Sequence, residues 1–223
     1  MTARNRPHVV AFDIVETTIS LEGLRPRLER AGLDGATLEP WFAGMLRDAF
    51  ALDTIGQFKP FPEIAKATLI ARGLDDGAAD QVLSGFAELE AHPDAAPAMR
   101  ALREGGIRIC ALTNGSDDVT RQMLDRNDLA GLVDEVVTIA EISRWKPARA
   151  IYDHAAERMG AQVADMALFA AHPWDCAGAK AAGYATGYVS RDGSKYPSVM
   201  EAPDFQGTML NTLADQVLAL PAK

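Results

Sequence analysis

The sequence predicts an α/β fold, a doubly wound parallel sheet with a helical unit inserted after its first strand. Three observations carry this. Short apolar runs end abruptly in polar residues, as strands buried on both faces do. Helical patterns separate most of these runs, and strand alternating with helix means parallel strands joined by right-handed crossovers. One long stretch, about residues 21–92, breaks that rhythm with helical periodicity alone.

The first strand is the run His8 to Phe12, which stops at Asp13 inside "VVAFDIVETTIS". The stretch after it shows the helical period in "LRPRLERAGL", "LEPWFAGMLRDAFALD" and "EIAKATLIARGL", with breaks at Gly32, "GQFKPFP" and "GLDDGA". "HPDAAPAMRALREGGIRI" returns to the sheet: prolines ahead of a helix, two glycines behind it, then a strand. That strand, in "IRICALTNGS" (107–116), runs into a Thr-Asn-Gly-Ser turn. "DDVTRQMLDRNDLAGLVD" predicts a helix with an Asp cap, and "KPARAIYDHAAERMG" a helix that stops at Gly160. "MALFAAHPWD" (166–175) goes from strand to His-Pro-Trp-Asp. The small residues of "AGAKAAGY" make a close-packed helix that ends at Gly183, before a last strand in "ATGYVSR" (185–191).

Composition bounds the function. The chain has 223 residues, is 48% hydrophobic and carries a formal net charge of −9, with Lys and Arg dispersed. An acidic surface without a basic face argues against a nucleic-acid groove or binding to an anionic membrane. Cys110 and Cys176 lie far apart and form no disulfide framework, which suits a reducing compartment. "MTARNRPHVV" has no apolar core for a signal sequence, and no run approaches a membrane span, so a cytoplasmic location is expected. No His/Cys cluster has zinc-ligand spacing, and Gly115 and Gly178 make no dinucleotide-binding fingerprint.

Ligands of open parallel sheets bind outside the carboxyl ends of the strands. Asp13 and Thr17, Thr113 and Asn114, and His172 with Asp175 all follow strand ends, and Lys146 joins them from the "SRWKPA" loop. A carboxylate anchored there is positioned to attack or to hold a substrate.

Four segments, "FDIVETT", "ALTNGS", "RWKPARAIY" and "HPWDCAGAKAAGY", resemble in order and separation the four motifs of the haloacid dehalogenase superfamily, and the tail "YVSRDGSKYPSVMEAPDF" is similar to its L-2-haloacid dehalogenase (type II) branch. The resemblance implies a Rossmann-like core, residues 1–17 and 96–223, with a helical cap at 18–95. It implies a hydrolase that takes a short 2-haloalkanoic acid to the 2-hydroxy acid through an ester on Asp13, with no cofactor. Lys146 supplies positive charge, Thr17 and Thr113 donate hydrogen bonds, and Asn114 orients water or substrate. Asp175 holds Lys146 or helps activate the water, and Tyr152 hydrogen-bonds the site or the lysine.

The departures matter. Val15 and Glu16 stand where the dehalogenases have an aromatic and Gly, and Val15 cannot serve as the second acid of the superfamily's phosphatases. Phe42 stands where the branch uses a cap arginine. Arg47 is the nearest substitute, yet five residues of helix turn the face by roughly 140°. Ala170 and His172 replace Ser and Asn, and His172 still donates or accepts. Trp41, Phe42, Met45 and Phe50 form a packing stripe, part of which lines an apolar pocket under the cap, as does Trp174. Val15, Phe42, Arg47, His172 and Trp174 are therefore the candidate substrate-binding residues. Two alternatives stay open: a Mg-dependent phosphatase with Asp13 and Asp175 as ligands, and a silent relative that binds a small acid or a partner protein. Apolar stripes also make a homodimer plausible.

Overall fold

The computed structural model describes residues 5–222. Residues 1–4, part of the stretch read for a signal sequence, lie outside them. The first strand, β1 (Val9–Asp13), is buried along its whole length. It is followed by α1 (Arg25–Arg30), α2 (Leu38–Thr54), α3 (Phe61–Ile70) and α4 (Asp76–Leu83), with short 3-10 turns at Leu21–Leu24, Gly35–Thr37 and Ser84–Glu88. Then come α5 (Ala95–Glu104), β2 (Arg108–Thr113), α6 (Asp117–Arg126), β3 (Glu135–Thr138), α7 (Arg149–Arg158), β4 (Met166–Ala170), α8 (Pro173–Ala182), β5 (Ala185–Val189), β6 (Phe205–Gly207) and α9 (Leu210–Leu218).

The six strands form one sheet in the order β3-β2-β1-β4-β5-β6, and every pairing is parallel. The chain builds outward from β1 on one side, then returns to build outward on the other, so the order reverses between β1 and β4. Loops at such a switch point diverge and leave a crevice. Asp13 ends β1 there, paired with Leu112 of β2. The doubly wound expectation is met.

Residues 18–20 and 90–92, where the helical segment leaves and rejoins the sheet, run side by side. Ile19 bridges Ala91 antiparallel, Ser20 N–H donates to the Glu90 carbonyl and His92 N–H to the Thr18 carbonyl. This neck fixes the segment over the carboxyl ends of the strands. A buried brace supports it: Arg191 donates to both Asp94 oxygens and to the Thr17 carbonyl, and Asp94 accepts from Leu210 N–H.

Several expectations change. The sheet holds two strands beyond the four expected, β3 and β6, both short. The helix expected over 117–134 stops at Arg126, and a 3-10 turn at Ala130–Leu132 leads into β3. Its N-cap is Ser116, with Asp117 and Asp118 in the first turn, where the positive end of the helix dipole favours them. A helix, α4, begins inside the "GLDDGA" break, capped by Asp75, which accepts from Ala78 N–H. Gly183 stops α8 at a φ of 110°, a left-handed value that glycine adopts without strain. Cys110 and Cys176 are buried free thiols, and burial pushes Cys110 up to about 12. Among the described residues no helix is long and apolar enough to cross a membrane.

Candidate active site

Strand ends bring the charged residues together. Lys146 Nζ donates to Asp13 Oδ1 and to Asp175 Oδ2, at 2.9 Å each. All three side chains are buried, and the ammonium sits between two carboxylates. Burial alone pulls a lysine pKa down, but Asp13 and Asp175 hold Lys146 above its ordinary value, so it stays charged. Burial pushes the Asp175 carboxyl up, and Lys146 offsets only part of that.

The other oxygen of each acid is also assigned. Thr17 Oγ1 donates to Asp13 Oδ2 at 2.5 Å and accepts from Ala171 N–H at 2.7 Å, tying the end of β1 to the end of β4. Thr18 Oγ1 donates to the Asp13 carbonyl. Tyr152 O–H donates to Asp175 Oδ1 at 2.6 Å, and Tyr184 O–H donates to the Tyr152 carbonyl. Tyr152 thus braces Asp175 and makes no bond to the lysine. Its phenol stays neutral, because burial raises its pKa well above the ordinary value.

A loop carries Lys146 into place from the far side. Asn114 Oδ1 accepts from Lys146 N–H at 3.2 Å. Asp53, near the end of α2, accepts from Arg144 Nε and Nη2 and from Trp145 N–H, and Trp145 Nε1 donates to the Lys59 carbonyl. Thr113 Oγ1 accepts from Gly115 N–H, which shapes the turn after β2.

Asp13 is 5% exposed and faces a chamber of about 20 Å³. Thr113, Asn114, Phe42, Leu46, Phe61 and Trp174 are among its walls. An outer groove of about 670 Å³ lies beyond Phe42, Leu46, His172 and Trp174, which line both spaces and so form the partition between them. The His172 ring stacks on Trp174 at 5.0 Å, and Phe50 meets Trp174 edge-on. His172 Nε2 lies 3.2 Å from the Val15 carbonyl and 3.7 Å from Asp13 Oδ2. Of the α2 stripe, Trp41 and Met45 are core, whereas Phe42 and Phe50 face these spaces.

Arg47 does not join this group. Its side chain is 77% exposed, pairs with Asp48 and borders only the outer groove, because the turn of α2 that points Phe42 inward points Arg47 out. Glu16 has a φ of 68°, strained for a non-glycine residue. Its carboxylate turns from Asp13 to accept from Leu21 N–H, and burial raises its pKa. Three chamber residues, Leu46, Phe61 and Gly115, were missed in the sequence. Leu46 and Phe61 sit in ordinary apolar helical positions, where periodicity does not separate a pocket wall from core, and Gly115 reads as an ordinary turn glycine.

The site can present a rigid carboxylate, backed by a fixed cation, to a small molecule out of contact with bulk water. Proteins with related sequences fit that chemistry. Haloacetate dehalogenase H-2 of Moraxella sp. (strain B) is 24% identical over 214 residues, covering 92% of this chain and 95% of its own. The L-2-haloacid dehalogenase RSc1362 superposes with a TM-score of 0.90 at 25% identity over 96% of this chain and all of its own (100%). The Xanthobacter autotrophicus L-2-haloacid dehalogenase with chloropropionic acid covalently bound has the same fold, with a TM-score of 0.86 at 22% identity over 96% and 99% of the two chains. The haloacid dehalogenase-like hydrolase model matches residues 8–183, the segment that begins just before Asp13 and ends just after Asp175, and the chain belongs to that family of hydrolases.

Proposed function

We propose that this hydrolase is a cofactor-independent 2-haloacid dehalogenase acting through an ester on Asp13. The observation that supports it most is the buried Asp13 carboxylate at the end of β1, oriented by Lys146 and Thr17 and facing a small chamber. A carboxylate is a weak nucleophile, and fixed orientation with exclusion of water compensates for that. One Asp13 oxygen attacks carbon 2 from the side opposite the halogen. The carbon–halogen bond breaks, halide leaves with the electron pair, and the carbon inverts. Water then adds to the Asp13 ester carbonyl. Lys146 and Thr17 stabilise the oxyanion, the 2-hydroxy acid leaves, Asp13 is restored and one proton is released.

In this reading Asp175, braced by Tyr152, fixes Lys146, and Asn114 with Thr113 orients water or substrate. His172, Trp174, Phe42 and Val15 shape the binding space. Residues 18–95 act as a cap over a core of 1–17 and 96–223, with the paired neck as its hinge. The phosphatase alternative is disfavoured by Val15, which cannot protonate a leaving group.

The test is halide release from chloroacetate and racemic 2-chloropropionate in EDTA. Release that persists in EDTA and falls at least about 10⁴-fold in Asp13→Asn supports the reading. A single turnover in ¹⁸O-water should place the label in Asp13 first, and label appearing directly in the product removes the ester. Phosphate release from small esters, restored by Mg, moves the protein to the phosphatase alternative. No turnover of either substrate class, with a small acid still raising Tm, leaves the silent binder.

A further inference from the structure

A second cavity opens beside Asp13. It measures about 100 Å³ and lies between α3, α6 and the 3-10 turn at Ser84–Glu88. Phe61, Leu83, Phe86, Val119 and Met123 make its wall apolar. The cavity shares Val15, Phe61 and Gly115 with the chamber over Asp13, so the two spaces adjoin at these residues. Gly115 keeps the junction clear. A Cβ there would sit 3.2 Å from Thr113 Oγ1 and 3.4 Å from Thr120 Oγ1. Thr120 is fully buried, its hydroxyl has no hydrogen-bond partner in the protein, and it faces this junction.

Size makes the two spaces complementary. The chamber over Asp13, about 20 Å³, falls short of the ~30 Å³ of one water-sized group, so nothing larger than the reacting carbon reaches into it. At ~30 Å³ per water-sized group, the side cavity takes roughly three to four carbons. Its apolar wall selects hydrocarbon, since a charged group placed there would lose its hydration without a partner.

We infer that this side cavity receives the alkyl chain of the substrate, so that the preferred class is 2-haloalkanoic acids of about five or six carbons rather than haloacetate. The inference rests on the dehalogenase reading of Asp13. Carbon 2 meets Asp13 in the chamber, and carbons 3 onward pass between Val15 and Gly115.

The experiment is a chain-length series of kcat/KM from chloroacetate through 2-chlorobutyrate and 2-chlorohexanoate to 2-chlorodecanoate. Each carbon up to 2-chlorohexanoate should raise kcat/KM about fourfold, the effect of burying one methylene, and 2-chlorodecanoate should fall back. Val119→Phe and, as a second variant, Leu83→Phe fill the cavity, and each should lower the hexanoate-to-acetate ratio at least about tenfold. A series that is flat or falls from chloroacetate onward, or a ratio unchanged in both variants, overturns the inference. A readout without turnover separates it from the parent reading. 2-Hydroxyhexanoate should raise Tm more than lactate does in the wild type, and no more than lactate in Val119→Phe. That result with no halide released from any substrate leaves the cavity assigned and the dehalogenase reading refuted. Equal Tm shifts from both acids in the wild type overturn the cavity.

Discussion

Lys146→Met removes one charge and almost no volume, and its consequences can be worked from the distances. The ammonium meets two buried carboxylates at 2.9 Å each. At an effective dielectric of 20 each contact is worth ~6 kcal/mol of attraction, set against several kcal/mol for taking the ammonium out of water. Methionine fills the space but leaves Asp13 and Asp175 facing each other uncompensated. Breaking a buried pair in this way costs ~3–5 kcal/mol, which for a chain of this size lowers Tm by about 6–20 °C. The sign with pH follows. Lys146 has a folded pKa above its unfolded one, so its stabilisation is complete below pH 10.5 and is lost only as pH rises through the higher folded value. In the variant Asp175, whose pKa burial already raises and Lys146 no longer lowers, takes up a proton more readily than in the unfolded chain, so the deficit shrinks as pH falls from 8 to 5. Urea unfolding followed by tryptophan fluorescence at both pH values reads this directly, and Asp175→Asn added to Lys146→Met should recover at least ~1 kcal/mol. A variant within 1 kcal/mol of the wild type at pH 8, or a deficit that does not narrow at pH 5, refutes the account.

Three other outcomes are expected. The pH profile of halide release should hold on the alkaline side past 10.5, where Lys146 remains charged, and its acid limb should lie above 3.8, because burial makes Asp175 protonate early; an acid limb at or below 3.8 contradicts the raised Asp175. His172→Ala removes the ring packed on Trp174 from the chamber wall, so the substrate loses about one methylene's worth of contact and KM should rise about fourfold, with kcat changed less; a loss confined to kcat would instead give His172 a part in the chemical steps. Thr120→Val replaces an unpartnered buried hydroxyl with a methyl group, and should raise stability by about 1 kcal/mol, or Tm by ~2–4 °C in calorimetry; a fall in Tm would mean that the hydroxyl has a partner in solution.

The sequence makes the charged centre legible because Asp13, Thr113 and Asp175 follow strands whose ends are marked by abrupt polarity, and Lys146 stands in the loop that completes the set. Their convergence follows from parallel topology alone. The edges of the sheet are less legible. Glu135 opens β3 with a charge, and β6 has only three residues, too few for a period to register. Glu16 shows a different limit. Its carboxylate is directed by a backbone N–H five residues on and by a left-handed backbone that no neighbouring residue type announces. Arg47 was the reverse case, since helix rotation already set it off the Phe42 face. The division of the apolar wall between chamber and side cavity depends on Gly115 and on how α3 approaches α6, and neither is written in a local pattern.

The grip of Asp53 on the lysine loop couples two events. Four hydrogen bonds join α2 and the stretch after it to Arg144 and Trp145, immediately before Lys146. Movement that lifts α2 away would have to break those bonds or draw the loop along, and with it the cation that pairs with Asp13. Where the bonds hold, opening would part Lys146 from Asp13, so that access and reactivity would alternate. Where they break, the lysine would stay. A single acidic side chain, Asp53, carries three of the four bonds that decide between the two.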